Sequence, residues 1–105
     1  MIRGTTPYCV LTVHGSDLTD KTVYVTMSQD GKKLTLTGDR LRMAYKDGAT
    51  AIVVCLTQQE TLNFRVGAMD VQARFIDDQE NAEATVIKQL RVDRVLLEEV
   101  IEHGE

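Results

Sequence analysis

The clearest indication of the fold class in this chain is the segment TVYVTMSQDGKKLTLT, residues 22–37. On either side of Asp30-Gly31 apolar and polar residues alternate, which is typical of half-buried β-strands. An Asp-Gly pair between two alternating runs is a strong short-range signal for a β-hairpin, because both turn positions need a positive φ. The stretch therefore predicts antiparallel strands over 22–29 and 32–37. The side chains predicted to face the core are Val23, Val25 and Met27.

Similar runs lie on both sides of this hairpin. The further predicted strands are 8–13, 41–46, 50–56, 68–76 and 84–92. A second tight turn is expected at Asp47-Gly48, and the run TAIVVCL (50–56), apolar on both faces, indicates a central strand. The acidic stretch 77–83 is expected to be an exposed hairpin loop. About seven short strands with regularly spaced turns predict an all-β fold, a single immunoglobulin-like antiparallel β-sandwich.

One segment departs from the strand pattern. Thr57 and Glu60 have the spacing of a capping box, in which each side chain bonds the backbone of the other. This predicts a short helical turn over 57–63 that crosses from one sheet to the other.

The 105 residues are predicted to form a single domain. We assign residues 1–6 to an N-terminal arm, 7–92 to the sandwich and 93–105 to a C-terminal arm. The apolar residues of the C-terminal arm fall at mixed three- and four-residue spacings, which suits either a short amphipathic helix or an extended arm.

Composition and charge weigh against several classes of function. The net charge of −4 disfavours binding to nucleic acid or to an anionic membrane. No apolar run approaches the length of a membrane span and no signal peptide is recognisable, so the chain is expected in a cytoplasm. The basic residues between 30 and 48 are better explained as protection of exposed strand edges. They are Lys32, Lys33, Arg40, Arg42 and Lys46.

No catalytic, cofactor-binding or metal-binding set emerges, so we expect no enzyme activity and no cofactor. Cys9 and His14 are five residues apart, and side chains at that spacing in a strand face opposite sides. Cys9 and Cys55 are interpreted as small buried hydrophobes; a disulfide would need an oxidising compartment. The carboxylates of 77–83 and of Glu98 and Glu99 are interpreted as solvated charge, calcium binding by 77–81 being a weaker alternative.

Apolar residues in the two arms are the candidate interaction residues. They are Ile2, Val95, Leu96, Leu97, Val100 and Ile101. Those of the C-terminal arm either cover the open end of the sandwich or pack on another subunit. An apolar arm together with an open strand edge is how small β modules join assemblies.

Three short motifs and the ending of the chain carry a resemblance to known proteins: MIRGTTP (1–7), VTxxQDGK (25–32), LTQxETLxF (56–64) and a VxRVLxxEVI-like ending (92–101). The chain resembles a family of small β-sandwich proteins encoded by tailed bacteriophages and prophages of Gram-positive bacteria. It is also similar in layout to the N-terminal domain of phage upper baseplate proteins. No coiled-coil or receptor-binding extension is expected after the sandwich, and this expectation favours an adaptor or decoration role over host recognition.

The resemblance implies a non-enzymatic phage structural protein, a tail or baseplate adaptor or virion-associated assembly module. Its expected partners are other phage structural proteins and further copies of itself, with no nucleic acid and no membrane. Its expected location is the virion, and the host cytoplasm during assembly. Alternatives are a capsid decoration protein, a prophage-encoded inhibitor, and a surface- or carbohydrate-binding module. The exposed aromatics for a sugar platform would be Tyr8, Tyr24 and Tyr45.

Overall fold

Two antiparallel β-sheets, packed face to face, make up the protein in a computed structural model that describes residues 1–103. The strands are β1 (Tyr8–His14), β2 (Thr22–Gln29), β3 (Lys32–Thr37), β4 (Leu41–Lys46), β5 (Ala49–Cys55), β6 (Gly67–Ile76), β7 (Ala82–Ala84) and β8 (Lys88–Val92). The three-stranded sheet has the order β1-β5-β4. In the five-stranded sheet the order is β3-β2-β6, with β7 and β8 both paired to β6. The predicted all-β sandwich is confirmed.

Both predicted Asp-Gly hairpins are present. Asp30 and Gly31 connect β2 to β3 with φ values of 48° and 85°, and Asp47 and Gly48 connect β4 to β5 with φ values of 54° and 79°. Two consecutive positive φ angles define the type I′ turn, whose twist matches that of the flanking strands. The local sequence therefore determines both hairpins.

The core lies between the two sheets. In β2 the inward side chains are Val23, Val25 and Met27, as predicted. They meet the inward face of β5, the middle strand of its sheet, where Ile52 and Val54 are fully buried. The prediction that 50–56 forms a central strand is confirmed, with the strand itself at Ala49–Cys55.

The last predicted strand is wrong in detail. Instead of one strand over 84–92, β7 and β8 lie end to end beside β6. Ala82 and Glu83, both assigned to the acidic loop, belong to β7. The interruption follows from one extra residue, because the four-residue step from Ala84 to Lys88 faces a three-residue step on β6. Thr85 fills the break, since its hydroxyl accepts the Ala73 N–H at 3.1 Å.

The chain passes between the sheets three times, after β1, after β3 through a 3-10 helix at Gly38–Arg40, and after β5. The connection from β5 to β6 is a short helix, α1 (Gln58–Leu62). Thr57 accepts the Glu60 N–H, and the Glu60 carboxylate accepts the Thr57 N–H at 2.8 Å. Both halves of the predicted capping box are therefore formed, and the predicted crossover from β5 to β6 is confirmed.

The C-terminal segment, hereafter the tail (93–103), contains no helix within the part of the chain that the structure describes. It runs as irregular chain after β8, which favours the extended arm over the amphipathic helix. The last two residues of the predicted arm, 104 and 105, lie outside the described residues.

Candidate interaction surface

The N-terminal segment is bound to the body of the protein. Ile2 forms an isolated parallel bridge with Asp93, and the Asp93 N–H donates to the Met1 carbonyl at 2.6 Å. Further along, the Thr61 hydroxyl donates to the Thr5 carbonyl at 2.9 Å. Residues 1–6, assigned to an arm, therefore form a docked strap between β8 and α1.

Arg3 joins this strap to α1 and to the tail. Its Nε–H donates to the Phe64 carbonyl at 2.6 Å, and its Nη2 donates to the Leu62 carbonyl at 2.8 Å. The third nitrogen, Nη1, lies 2.7 Å from a carboxylate oxygen of Glu98. The carbonyls at the end of a helix lack partners within the helix, so a guanidinium placed there satisfies them. Only 16% of the Arg3 side chain is exposed.

Gln58 holds the far end of the tail. The Ile101 N–H donates to its Oε1 at 2.7 Å, and its Nε2 donates to the Ile101 carbonyl at 3.1 Å. The Gln58 side chain thus accepts from and donates to the backbone of Ile101, as a residue of a neighbouring β-strand would. Together with the Ile2 bridge and the Arg3–Glu98 pair, it anchors the tail at Asp93, Glu98 and Ile101.

The anchored tail leaves most of the predicted interaction residues in solvent. Val95 is half-buried, and its Cγ1 would be 3.8 Å from a β-carbon added at Gly4. The others are exposed: Ile2 48%, Leu96 86%, Leu97 54%, Val100 44% and Ile101 58%. We call Leu96, Leu97, Val100 and Ile101 the apolar tail residues. The contacts of four of the six predicted residues place them at the end of the sandwich that carries α1: Ile2, Val95, Val100 and Ile101.

A shallow groove runs along α1 beneath Val100. It is lined by Thr6, Arg40, Cys55, Leu56, Thr57, Gln58, Gln59 and Val100. Apart from Arg40, the lining is uncharged and combines apolar side chains with amide and hydroxyl groups.

Arg40 and Glu60 form an ion pair beside this groove, with Nη2 2.5 Å from Oε1. Burial of the Glu60 carboxyl acts to raise its pKa. The Arg40 hydrogen bond, the Thr57 N–H and the Arg40 charge outweigh burial and hold the Glu60 pKa below its ordinary value.

We expect Glu60→Gln to remove a pH-dependent part of the stability. A lowered pKa means that ionised Glu60 stabilises the fold above the ordinary glutamate value of about 4.3. That contribution is lost as the pH falls through the lower pKa of the folded state. Urea unfolding should show a wild-type advantage of at most about 1 kcal/mol at pH 7, since Arg40 is exposed and the pair is screened. At pH 3 the advantage should shrink.

Glutamine at this position keeps the capping-box bond to Thr57, so the variant isolates the charge. Hydrogen bonds also lower the pKa values of Asp17 and Asp77, but both groups titrate in either protein and cancel from the difference. If the wild-type protein were more stable than Glu60→Gln by the same amount at pH 3 and at pH 7, the lowered pKa of Glu60 would be contradicted.

The cysteines lie on neighbouring strands with their side chains on opposite faces of one sheet. Cys9 pairs with Val54 on the inner face, and Cys55 pairs with Tyr8 on the outer face. Both thiols are free and half-buried, rather than fully buried as interpreted from the sequence. Burial raises the pKa of the Cys9 thiol, which favours the protonated, unreactive form. His14 is on the outer face, away from Cys9.

The acidic loop uses its first carboxylate internally. Asp77 Oδ1 accepts the N–H groups of Gln79 and Asn81, each at 2.9 Å. Across residues 1–103, no three side chains of His, Cys, Asp or Glu are grouped as a metal would require. The three tyrosines proposed for a sugar platform are also dispersed. Tyr8 and Tyr24 are on different sheets, and Tyr45 is on β4, at the opposite edge of its sheet from Tyr8.

Comparison of the chain with protein-family models and with curated proteins finds no match. None of the described helices is long and apolar enough to cross a membrane.

Sequence reasoning missed Arg3 and Gln58, which organise this end of the protein. Arg3 is 95 positions from Glu98 along the chain, and Gln58 is 43 from Ile101. No local pattern signals contacts over such separations. The spacing of apolar residues identified the tail, but not the groups that hold it.

Proposed function

We propose that this chain is a non-enzymatic structural protein of a tailed bacteriophage or prophage, a tail or baseplate adaptor that binds another virion protein through its apolar tail residues. It would reside in the virion, and in the host cytoplasm during assembly. The motifs that resemble those of small phage sandwich proteins support the virion role. The structure supports the use of the tail as the binding element.

One observation carries the proposal: the tail is anchored, yet its apolar side chains are exposed. An unattached segment would explain exposure alone, but Asp93, Glu98 and Ile101 each have a specific partner. A segment that covered the sandwich would bury its side chains, whereas Leu96 is 86% exposed. Fixed, exposed apolar groups lower the entropy cost of binding a partner. This favours docking on another subunit over covering the open end.

The chemistry of the surface fits a protein partner. Each leucine, isoleucine or valine side chain that becomes fully buried contributes about 1.5–3 kcal/mol, so the four apolar tail residues can form the apolar centre of an interface. Glu98 and Glu99 lie among them, and exposed charges of this kind occupy the polar rim of interfaces. The partner surface is therefore expected to be apolar with basic groups at its border.

Replacing all four apolar tail residues with serine tests the proposal in particles released from a strain that carries the gene. We expect the wild-type chain in purified particles, and loss of incorporation by at least about tenfold for the variant, because the apolar anchors of an interface dominate its affinity. Since the four side chains are exposed, the free energy of unfolding should change by no more than about 0.5 kcal/mol for each substitution.

The matched control is Arg94→Ser/Glu102→Ser, which changes two exposed charged residues of the same segment and should be incorporated normally. Wild-type chain that is absent from intact particles would refute the virion role. Serine variants that are incorporated as well as wild type would refute the role of the tail. Recovery with isolated capsids rather than tails would favour the capsid decoration alternative.

A further inference from the structure

The sandwich has open strand edges, and β1 differs from the others in charge. The edge strand β3 carries Lys32 and Lys33, β4 carries Arg42 and Lys46, and the edge beside β6 includes charged residues of β7 and β8. β1, with the sequence YCVLTVH, contains no Asp, Glu, Lys or Arg. Charges on an edge strand oppose pairing with another chain. β1 is therefore the edge least protected against such pairing.

The backbone of β1 presents alternate residues to the open side. The Leu56 N–H donates to the Pro7 carbonyl, and the Gly15 N–H donates to the Gly48 carbonyl, which sets the phase of the β1–β5 ladder. In an antiparallel pair every second residue bonds to the partner strand. The backbone N–H and C=O groups of the odd-numbered residues of β1 therefore point toward β5. The even-numbered ones direct their N–H and C=O groups outward: Tyr8, Val10, Thr12 and His14.

These four residues are uncovered. Tyr8 is 76% exposed and Val10 is 58% exposed, and Thr12 and His14 are also exposed. Within residues 1–103, no loop or strand bonds to the outward backbone of β1. Next to Val10 on the outer face of the sheet lies Val53 of β5, which is half-buried and extends the apolar surface inward from the edge.

We propose that β1 pairs antiparallel with β1 of a second copy, about a two-fold axis at Leu11, so that the two three-stranded sheets join into one six-stranded sheet. In this register Tyr8 lies opposite His14 of the second copy, and Val10 lies opposite Thr12. The outward-facing residues of one strand meet those of the other, which gives about eight backbone hydrogen bonds. A register centred on Leu11 uses all seven residues of β1.

Charge favours a second copy as the occupant of this edge. A two-fold axis at Leu11 brings the residues beside the axis close to their own copies, so a charged residue of β1 at these positions would approach a like charge. β1 carries no such residue; Lys88 of β8 lines a pocket next to Val10 and Leu11 but belongs to the other sheet. Val10 and Thr12 are β-branched and form a favourable cross-strand pair. The pairing uses the open edge of β1 in both copies, so association through this edge stops at the dimer.

The dimer uses a different surface from the tail. It concerns the purified chain alone, so it holds or fails independently of the virion role. If both hold, each dimer displays two tails, and the two sites gain avidity for an oligomeric partner.

Sedimentation equilibrium of the full chain and its edge variants tests the pairing. We expect wild-type dimer at about 0.1 mM. Val10→Lys/Thr12→Lys places two lysine pairs face to face across the axis, and should raise the dissociation constant at least about 100-fold. Val10→Lys/Thr12→Glu places each lysine opposite a glutamate in this register, and should restore the dissociation constant to within about tenfold of wild type.

The control Thr35→Lys/Ala44→Lys adds the same charge on the edge strands β3 and β4, and should remain dimeric. A monomeric wild-type chain, a dimer that survives Val10→Lys/Thr12→Lys, or a dimer lost when residues 94–105 are deleted would each overturn the proposal. Amide exchange gives a second readout on unaltered protein. The N–H groups of Tyr8, Val10, Thr12 and His14 should become protected as concentration rises, and exchange that is fast at every concentration overturns the pairing.

Discussion

Replacing Ile52 with alanine should lower the free energy of unfolding by about 2–5 kcal/mol, because it leaves a cavity in a core that relaxes only partly. Ile52 is fully buried at the centre of β5. It lies between Leu11 on one neighbouring strand and Met43 on the other. Since domains of this size are stable by only about 5–15 kcal/mol, the variant loses a large share of the total. Urea unfolding, with the midpoint and slope fitted together, measures the loss.

Val53→Ala is the matched control, because Val53 is adjacent on the same strand but faces outward and is half-buried. It should cost about 1 kcal/mol or less, measured at a concentration where the chain is monomeric. If Val53→Ala proved as costly as Ile52→Ala, the assignment of inner and outer faces to β5 would be wrong.

Arg3→Met should cost about 1–3 kcal/mol of unfolding free energy. Methionine keeps much of the apolar stem of arginine but leaves the Leu62 and Phe64 carbonyls without their donors. Both contacts are partly buried, so water replaces the guanidinium incompletely. Arg3→Lys should recover only part of the loss, since a single ammonium cannot reproduce three contacts made by a planar fork. Limited trypsin digestion should also cut the Arg3→Met protein faster at Arg94, because the tail loses one of its anchors.

Glu98→Gln separates the two roles of Arg3. This substitution removes only the negative charge opposite Arg3, because the glutamine oxygen can still accept from the guanidinium. The Glu98 side chain is 58% exposed, so the change should cost less than about 1 kcal/mol. If it destabilised the chain as much as Arg3→Met, the ion pair rather than the capping of α1 would be the main contribution of Arg3.

The parts of the fold that could be predicted are those with local causes. Asp30-Gly31 and Asp47-Gly48 adopt positive φ angles that few other residue pairs tolerate, so each turn could be located from two letters. Thr57 and Glu60 are three residues apart, and their mutual capping needs nothing from the rest of the chain. Alternation in β2 identified its buried face, because a one-residue shift would expose Val23, Val25 and Met27 together.

Other features depended on distant contacts. The break between β7 and β8 arises from the count of residues on β6 opposite them, and Thr85 alone does not reveal it. The exposure of the tail was left open, because the spacing of its apolar residues suits a covered or a displayed segment equally. The structure separates these alternatives through Gln58 and Arg3, which bind the tail at its backbone and at Glu98.

The sandwich, its hairpins and the helical crossover follow from the amino-acid sequence, because period-two alternation, turn pairs and a capping box act within a few residues. Tertiary contacts determine which strands lie at the edges, how Arg3 connects the N-terminal strap to α1 and the tail, and which apolar groups remain in solvent. These features depend on pairs of segments far apart in the chain, such as residues 1–6 and 91–98, and local sequence patterns carry no signal for such pairs. For the same reason, the absence of charged residues in β1 indicates a pairing edge only when the position of β1 at the edge of its sheet is known.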